Sequence, residues 1–456
     1  MTSLFEDLQN NKVATEPGQF EIVYIAIDSK VGLFEITAMV KQINLYESIF
    51  KTFMTGALVI EDVNDTISQA AITGNEPVYI KFKTLGSDNA IDIKMLINGV
   101  MERQSTSDSG EVYSLTLISP EFLNNTRKKV SRSLNGSYSD MVKGVYNNYL
   151  SDGVPLWIEE TSNNNRLIIP NTSPTEAIGM ATQFAESSTG GTVNYQFFQT
   201  TKSFQFRSIS AMVNNDEELV FRTDIEGDSS QSISFLDKVL RVSEFELLED
   251  TDIIKHTKIG TFGSSLIEHD IRSKNWNTSK FNYHESGALS GLNANMVSPK
   301  GPVTENKEGI SEFADSNVSM VSGASKFNYQ YQQGVPQFTS IDYSSAIKRR
   351  QQVNAINFQR AQVSIPGISG LQAGDLITLD IPRRYSADNV VKNKNVKNEK
   401  LSGRWLIESL SHQVGEKYKC VLIVTRDSVP EAPTEYTELS YPNSTSKIID
   451  SSKSNR

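Results

Sequence analysis

Apolar and polar positions alternate through most of the first 120 residues. The period of two is plain in Val78-Tyr79-Ile80-Lys81-Phe82 and in Ile91-Asp92-Ile93-Lys94, the pattern of a strand with one buried and one wet face. On this basis strands are expected over residues 20–27, 34–45, 53–63, 77–84, 91–103 and 111–119. Turn-forming clusters at 28–32, 74–77, 86–89 and 107–110 separate them. Six strands in about 100 residues predict one compact sandwich or barrel.

The period lengthens at Ser119, where Pro120 follows a capping residue and opens a helix. Ser139-Asp140 is expected to cap a second helix, whose Met141, Val142, Val145, Tyr146 and Tyr149 form one apolar stripe. Ser173-Pro174-Thr175-Glu176 spells a capping box with proline at the first helical position. That helix should run to about Ser187, bury Ile178, Ala181 and Phe184, and stop at Gly190-Gly191. Residues 193–199 and 202–208 then read as a hairpin.

Strand-like patterning returns over 219–276, clearest at 240–248 and 258–270. Lys280-Phe281-Asn282-Tyr283 recurs as Lys326-Phe327-Asn328-Tyr329. The 285–325 stretch between them is rich in Gly, Ser and Asn and too poor in apolar residues to order itself alone. The two copies are therefore expected as neighbouring strands with a polar excursion between them. Residues 341–354 have helical spacing at Ala346, Ile347, Arg350 and Val353. Four strands close the ordered chain, at 362–366, 375–382, 403–410 and 417–426, as an antiparallel meander. They are punctuated by the turn 367–374 (GISGLQAG) and a basic loop over 383–400. Prolines at 430, 433 and 442 and a Ser-rich tail predict an extended or disordered end. The division is an arm (1–19), a β domain (20–118), an α/β domain (119–213), a loop-rich β region (214–340), a helix with a second β domain (341–429) and a tail (430–456).

The length of 456 residues allows roughly three domains. Apolar residues at 38% and charged residues at 21% fit a protein rich in loops. No apolar run approaches the roughly 20 residues that span a bilayer, and the start, MTSLFEDLQNN, lacks a signal-peptide pattern. The net charge of −10 argues against sequence-independent nucleic-acid binding. The charge is uneven: residues 214–252 carry 12 acidic and 3 basic side chains, and residues 383–404 carry 7 basic and 2 acidic. These are either two solvated surfaces or complementary faces that meet between subunits.

Candidate chemistry is sparse. The single cysteine, Cys420, lies in an apolar strand and reads as a buried structural thiol. The four histidines, at 256, 269, 284 and 412, show no metal-binding spacing. His412 is expected in a turn before Tyr418 with a structural role. His269-Asp270 would place base and orienter on opposite faces of a strand. No nucleophile elbow, phosphate-binding loop or dinucleotide fingerprint occurs. The turn 367–374 carries glycines but precedes a strand, not the helix that a phosphate cradle requires.

Several segments, in order, carry a resemblance. YESIF followed by TGALVIED (46–62), SPEFLNNTRKKVSRS, SDMVKGVYNNYL and IPNTSPTEAIGMATQFA (119–185), and LQAGDLITLDIP, LSGRWLIESLSHQV and YKCVLIVTRDSV (371–429) resemble phage tail hub proteins. The chain is similar to the trimeric baseplate hub of contractile-tailed phages of the T-even type, and more distantly to the hub part of type VI secretion spikes. The resemblance covers about 20–208 and 355–429. It implies a mainly β fold with an α/β insertion and two tube-like β-barrel domains at the two ends. Tyr46, Glu47, Ser48, Gly56, Gly374, Asp375, Ser402 and Gly403 stand at its signature positions, as structural residues. It further implies a non-enzymatic adapter without cofactor or metal, a homotrimer in a virion tail baseplate, assembled in the bacterial cytoplasm. The implied partners are the tail tube ring and a central spike protein, for which a lysozyme-bearing form is one candidate, with the tape measure protein as a further one. DNA would meet it only in transit through a central channel, and no stable membrane association is implied. Lys392, Lys394 and Lys397 are the candidate interface charges. Two other classes stay open: a tail-associated cell-wall hydrolase working through a carboxylate, and a receptor-binding adhesin using the 285–325 excursion.

Overall fold

The structure is a computed structural model. It describes residues 4–11, 13–105, 110–189, 192–214, 218–223, 234–250, 252–270, 274–283, 292–293, 295–296, 314–323, 327–332, 335–340, 343–382, 397–398 and 400–430. Seven strands form the first β unit: β1 Phe20–Ser29, β2 Gly32–Glu35, β3 Val40–Ser48, β4 Thr55–Asp62, β5 Pro77–Thr84, β6 Ala90–Ser105 and β7 Glu111–Ile118. The alternation seen in the sequence is the burial pattern itself: in β4 and β5 every second residue is buried. The run expected as one strand over 34–45 is two, because a 3-10 turn at Thr37–Met39 interrupts it.

The α/β unit contributes β8 Val130–Ser137, β9 Leu156–Ile158, β10 Asn164–Thr172, β11 Tyr195–Gln199 and β12 Phe204–Ser208. β8 and β10 make an antiparallel pair that the sequence pattern did not predict, since most of their positions are partly or fully exposed and no alternation marks them. Helix Tyr138–Val145 is capped by Ser137, whose hydroxyl accepts the Asp140 amide, and not by Ser139. Met141, Val142, Val145 and Tyr146 are buried as the stripe requires, against Phe204 and Phe206. The capping box at Ser173 is complete, with the hydroxyl accepting from Glu176 N and the Glu176 carboxylate from Ser173 N. Its helix ends at Thr182, short of the expected 187, so Phe184 is only partly buried. Gly190 and Gly191, expected to stop it, lie outside the described residues.

The later strands are β13 Glu218–Arg222, β14 Glu244–Asp250, β15 Gly263–Asp270, β16 Asn275–Asn282, β17 Asn295–Met296, β18 Val318–Gly323, β19 Phe327–Gln332, β20 Val335–Ser340, β21 Gln359–Pro366, β22 Leu376–Asp380, β23 Gly403–Val414, β24 Tyr418–Arg426 and β25 Ser428–Val429. The strand expected over 258–270 starts only at Gly263, because helix Ile253–Lys258, capped by Asp252, ends at the first of those residues and a turn follows it. The KFNY repeat does not pair with itself. β16 pairs with β15, and β19 pairs with β20, so the two tetrapeptides occupy different sheets. A four-residue match carries too little information to fix a register that longer neighbouring strands decide. The helix expected near 341–354 is Ser344–Ala355.

The mainly β class with an α/β insertion holds, and the two end units share their hydrogen bonding. β23 pairs along one edge with β24. Along its other edge it pairs first with β22 and then, from Ser409 to Val414, with β3 of the first unit. The result is one sheet of 13 strands in the order β14-β21-β24-β23-β3-β4-β7-β6-β5-β1-β2, with β22 and β13 on a side branch. One hydrophobic core runs through both units, from Ile25, Ile43 and Phe82 to Val363, Trp405 and Leu422. Tyr418 of the last unit meets Phe82 of the first edge to face at 5.6 Å between ring centroids. Burial of this kind stabilises by about 25 cal/mol per Å², so the core resists separation of the two units.

Candidate functional site

β3 places Ile43 and Leu45 on the core face, and the period of two puts Glu47 on that face next. Glu47 is 3% exposed. Its Oε1 accepts the Ala373 amide at 2.9 Å, and its Oε2 accepts the Thr201 amide at 2.9 Å. Thr201 lies in the turn between β11 and β12, and Ala373 lies in the turn before β22. One carboxyl group thus ties a strand of the first β unit to the α/β unit and to the second β unit. Burial pushes its pKa up to about 8, against the two amide donors that favour the charged form and with Asp375 adding to the rise.

The turn before β22 and the end of β3 meet the same place on β23. Gly374 N donates to Ile407 O and Ile407 N donates to Asp375 O, each at 2.9 Å, while Ile49 N donates to Glu408 O at 2.9 Å. The ladder shifts register between Ile407 and Ser409, and there β23 passes from one partner strand to the other. Glu408 is held by Arg360 through two bonds of 2.8 Å. Ser48 accepts from Ser409 Oγ at 2.9 Å, and Asp375 accepts from Gln372 N at 2.9 Å. Gln372 in turn accepts from Thr200 Oγ1 at 2.7 Å, Lys202 donates to Gly370 O at 3.1 Å, and Gln199 accepts the Met54 amide at 3.0 Å. The turn at 199–202 is therefore seated between both β units. Gly374 has φ +91°, and a Cβ there would sit 3.3 Å from Met212 Sδ and Phe198 Cζ, so glycine is required.

The structure gathers Glu47, Ser48, Gly374 and Asp375 into this knot. Tyr46 faces the opposite side at 44% exposed and Phe50 is 37% exposed, so this corner buries Ile49 and not its aromatics. Gly56 pairs with Leu45, where a Cβ would lie 2.9 Å from Asn44 O and Leu45 Cδ2. Ser402 and Gly403 belong to a second knot at the start of β23. Ser402 Oγ accepts Ile381 N at 3.0 Å and donates to Ile381 O at 2.9 Å. The buried Arg426 donates to Ser402 O and Gln359 Oε1 at 2.8 Å, reaches Lys400 O, and lies 4.0 Å from the Trp405 ring centroid. Arg426, Trp405, Ala373, Thr201 and the Arg360–Glu408 pair were not singled out from the sequence. An arginine ending the apolar run KCVLIVTR is the signal that marks Arg426.

His412 lies inside β23 and not in a turn, because the strand runs on to Val414. Its Nδ1 is 2.7 Å from Tyr418 Oη and 3.5 Å from Cys420 Sγ. Burial pulls the His412 pKa down to about 3 and pushes the Cys420 thiol up to about 12. A neutral imidazole and an un-ionised thiol, both sealed in the core, make a packing cluster, not a nucleophile and its base. His269 stacks on Trp276 at 4.1 Å. Among the described residues no group of His, Cys, Asp and Glu has metal-site geometry, and no helix is long and apolar enough to cross a membrane.

Lys397, one of the candidate interface charges, is 3.1 Å from Asp380 of the same chain, and Lys400 of the same basic segment is 2.6 Å from Asp250. The basic and acidic segments thus make contact within one subunit. Lys392 and Lys394 lie outside the described residues, as do most of the 285–325 excursion and residues 431–456.

No family model matches the chain, and no curated protein matches it. Solved structures do. A tail protein from Neisseria meningitidis MC58 aligns with a TM-score of 0.52 at 8% identity, covering 90% of this chain and 97% of that one. The 43 kDa tail protein of prophage MuSo2 from Shewanella oneidensis gives 0.49 at 9% identity, over 89% and 100% of the two chains. The lidded Francisella PdpA–VgrG complex gives 0.43 at 10% identity, over 92% of this chain and 55% of that one. The fold is shared with that Neisseria meningitidis tail protein along nearly the whole chain, in agreement with the resemblance carried by the sequence motifs.

Proposed function

We propose that this chain is the structural hub subunit of a phage-type tail baseplate. Three copies, each with two β units, form a ring with six quasi-equivalent positions. One face of that ring matches a six-fold tail tube, and the other seats a three-fold spike. DNA passes through the centre without being held. The observation that carries this reading is the β3–β23 ladder locked by Glu47. An adapter between two symmetries needs its two β units at a fixed angle, and a shared sheet, a shared core and a three-way carboxyl bond supply that rigidity. Glu47, His412 and Cys420, three groups of strongly perturbed proton affinity, are sealed from solvent, which suits a structural part better than a hydrolase.

Electron microscopy of the purified chain, alone and with a candidate spike protein, tests the proposal. The expected particle is a trimer with one pseudo-six-fold face. A monomer in complex with the spike, or a ring of six identical subunits, overturns it.

A further inference from the structure

Within the large sheet, β3-β4-β7-β6-β5 of the first β unit and β14-β21-β24-β23-β22 of the second match strand for strand. The order along the chain is the same, and so are the antiparallel pairings. β6 and β23 hold the same place. β6 pairs with β5 up to Leu96 and shifts register between Ile97 and Gly99; β23 pairs with β22 up to Leu406 and shifts between Ile407 and Ser409. Ile97 exchanges main-chain bonds with Asn75 and Glu76, as Ile407 does with Gly374 and Asp375, and both Asn75 and Gly374 have positive φ. Past this point the two strands part. β23 turns the rest of its edge to β3, from Ser409 to Val414. β6 runs on to Ser105 with β7 on one side, and no strand meets its other edge among the described residues. β14, the counterpart of β3, ends the sheet and pairs with β21 alone among them. The side chains on both edges lack the cover their counterparts have. Val100, at the place of Leu410, is 38% exposed where Leu410 is 1%. Phe245 and Leu247 are half-buried where Ile43 and Leu45 are sealed.

We infer that β6 of one copy of this chain pairs, beyond Ile97, with β14 of the next copy, repeating between subunits the β23–β3 ladder that joins the two units within one. Following the matched registers across the sheet sets Val100 opposite Asp250 and Met101 opposite Glu249, as Leu410 stands opposite Glu47 and Ser411 opposite Tyr46. An open strand edge is a template for another strand. A second copy is the occupant because each chain lacks at one edge the strand it offers at the other, and both edges continue the sheet that its own two units already share. Asp250 brings no unpaired charge to this joint, since Gln359 and Lys400 hold its two oxygens. Contact between two different edges is head-to-tail and closes into a ring when the rotation allows. In a ring of three, joints within a chain and joints between chains alternate. The number of copies rests on the adapter reading; the joint does not.

The test uses the full chain as two variants, Met101→Cys and Glu249→Cys, co-expressed, with a C-terminal tag on one so that mixed dimers run apart. Met101 is exposed and Glu249 partly so, and the native Cys420 is buried. Residues opposite each other on paired antiparallel strands have Cα atoms about 4.5–5.5 Å apart, within reach of a disulfide. After oxidation with diamide, a non-reducing gel should show the mixed dimer at least tenfold above the level found when Ile168→Cys, 68% exposed, replaces either partner. A chain carrying both cysteines should give a ladder that ends at three. No mixed dimer, or one no more abundant than with Ile168→Cys, overturns the proposal. A trimer by sedimentation without the mixed dimer overturns the joint and leaves the adapter reading standing. A ladder that runs past three supports the joint and overturns the ring of three.

Discussion

The Glu47 carboxyl group gives the sharpest prediction. Its ordinary pKa of 4.5 rises to about 8 in the folded chain, so the folded state holds the proton more tightly than the unfolded state does. The stability this group contributes is full below pH 4.5 and is lost as pH rises through 8. Each tenfold difference in proton affinity between the two states corresponds to about 1.4 kcal/mol, so the loss across the window is roughly 3–5 kcal/mol. Glu47→Gln removes the titration but turns an amide NH₂ toward one of the two backbone donors, Ala373 N or Thr201 N. Leaving a buried donor unpaired costs about 1–3 kcal/mol at every pH. The variant should therefore be less stable than the parent at pH 5, and the difference should close and reverse by about pH 9. Guanidinium unfolding at a series of pH values measures this, followed by the emission of Trp405, which is fully buried, whereas Trp157 and Trp276 are exposed. Other titrating groups are common to both proteins and cancel in the difference. Parallel stability curves for parent and variant from pH 5 to pH 9 would refute the account of Glu47 as a buried, proton-holding tie.

Arg426→Leu should cost about 3–5 kcal/mol in unfolding, since it orphans Ser402 O and Gln359 Oε1 in a closed site, and Arg426→Lys should not restore it because three acceptors and the Trp405 face need the planar fork. Gly374→Ala should destabilise by about 1–2 kcal/mol or more, seen as a lower unfolding midpoint, because φ +91° strains any side chain and the new Cβ presses on Met212 and Phe198. Cys420, whose thiol is pushed up to about 12, should stay unmodified by a thiol-specific disulfide reagent at pH 8 in the native protein and react fully once unfolded. Charge reversal at Lys392, Lys394 and Lys397 together should weaken subunit assembly at low salt, read by sedimentation; unchanged assembly would assign Lys397 to its bond with Asp380 alone.

Much of the fold was legible in the chain. β5 begins and ends where alternation placed it, and the strands around 91–103, 111–119 and 417–426 moved by only a few residues. The capping box at Ser173 fixed its helix start, because that signal lies in four adjacent residues. Helix and strand ends that depend on packing were misplaced: the helix after Pro174 stops early, and β23 runs four residues beyond the expected 410, carrying His412 into the core. The β8–β10 pair was invisible because its exposed faces carry no period and its strands are separated by a helix and β9. Of the signature positions, the motifs located Glu47, Gly374 and Asp375 but could not say that they touch.

The amino-acid sequence determined which segments pleat, which coil, and which face of each strand seeks the core, since these follow from the spacing of side chains along a few residues. Only the tertiary structure decided that β3 would pair with β23, more than 350 residues away, and so merge the two ends of the chain in one sheet. Edge pairing uses backbone groups that every residue carries, so the choice of partner strand leaves almost no mark on the local pattern. It is settled by which surfaces can share a core and by a buried carboxyl group whose donors lie in two other parts of the chain.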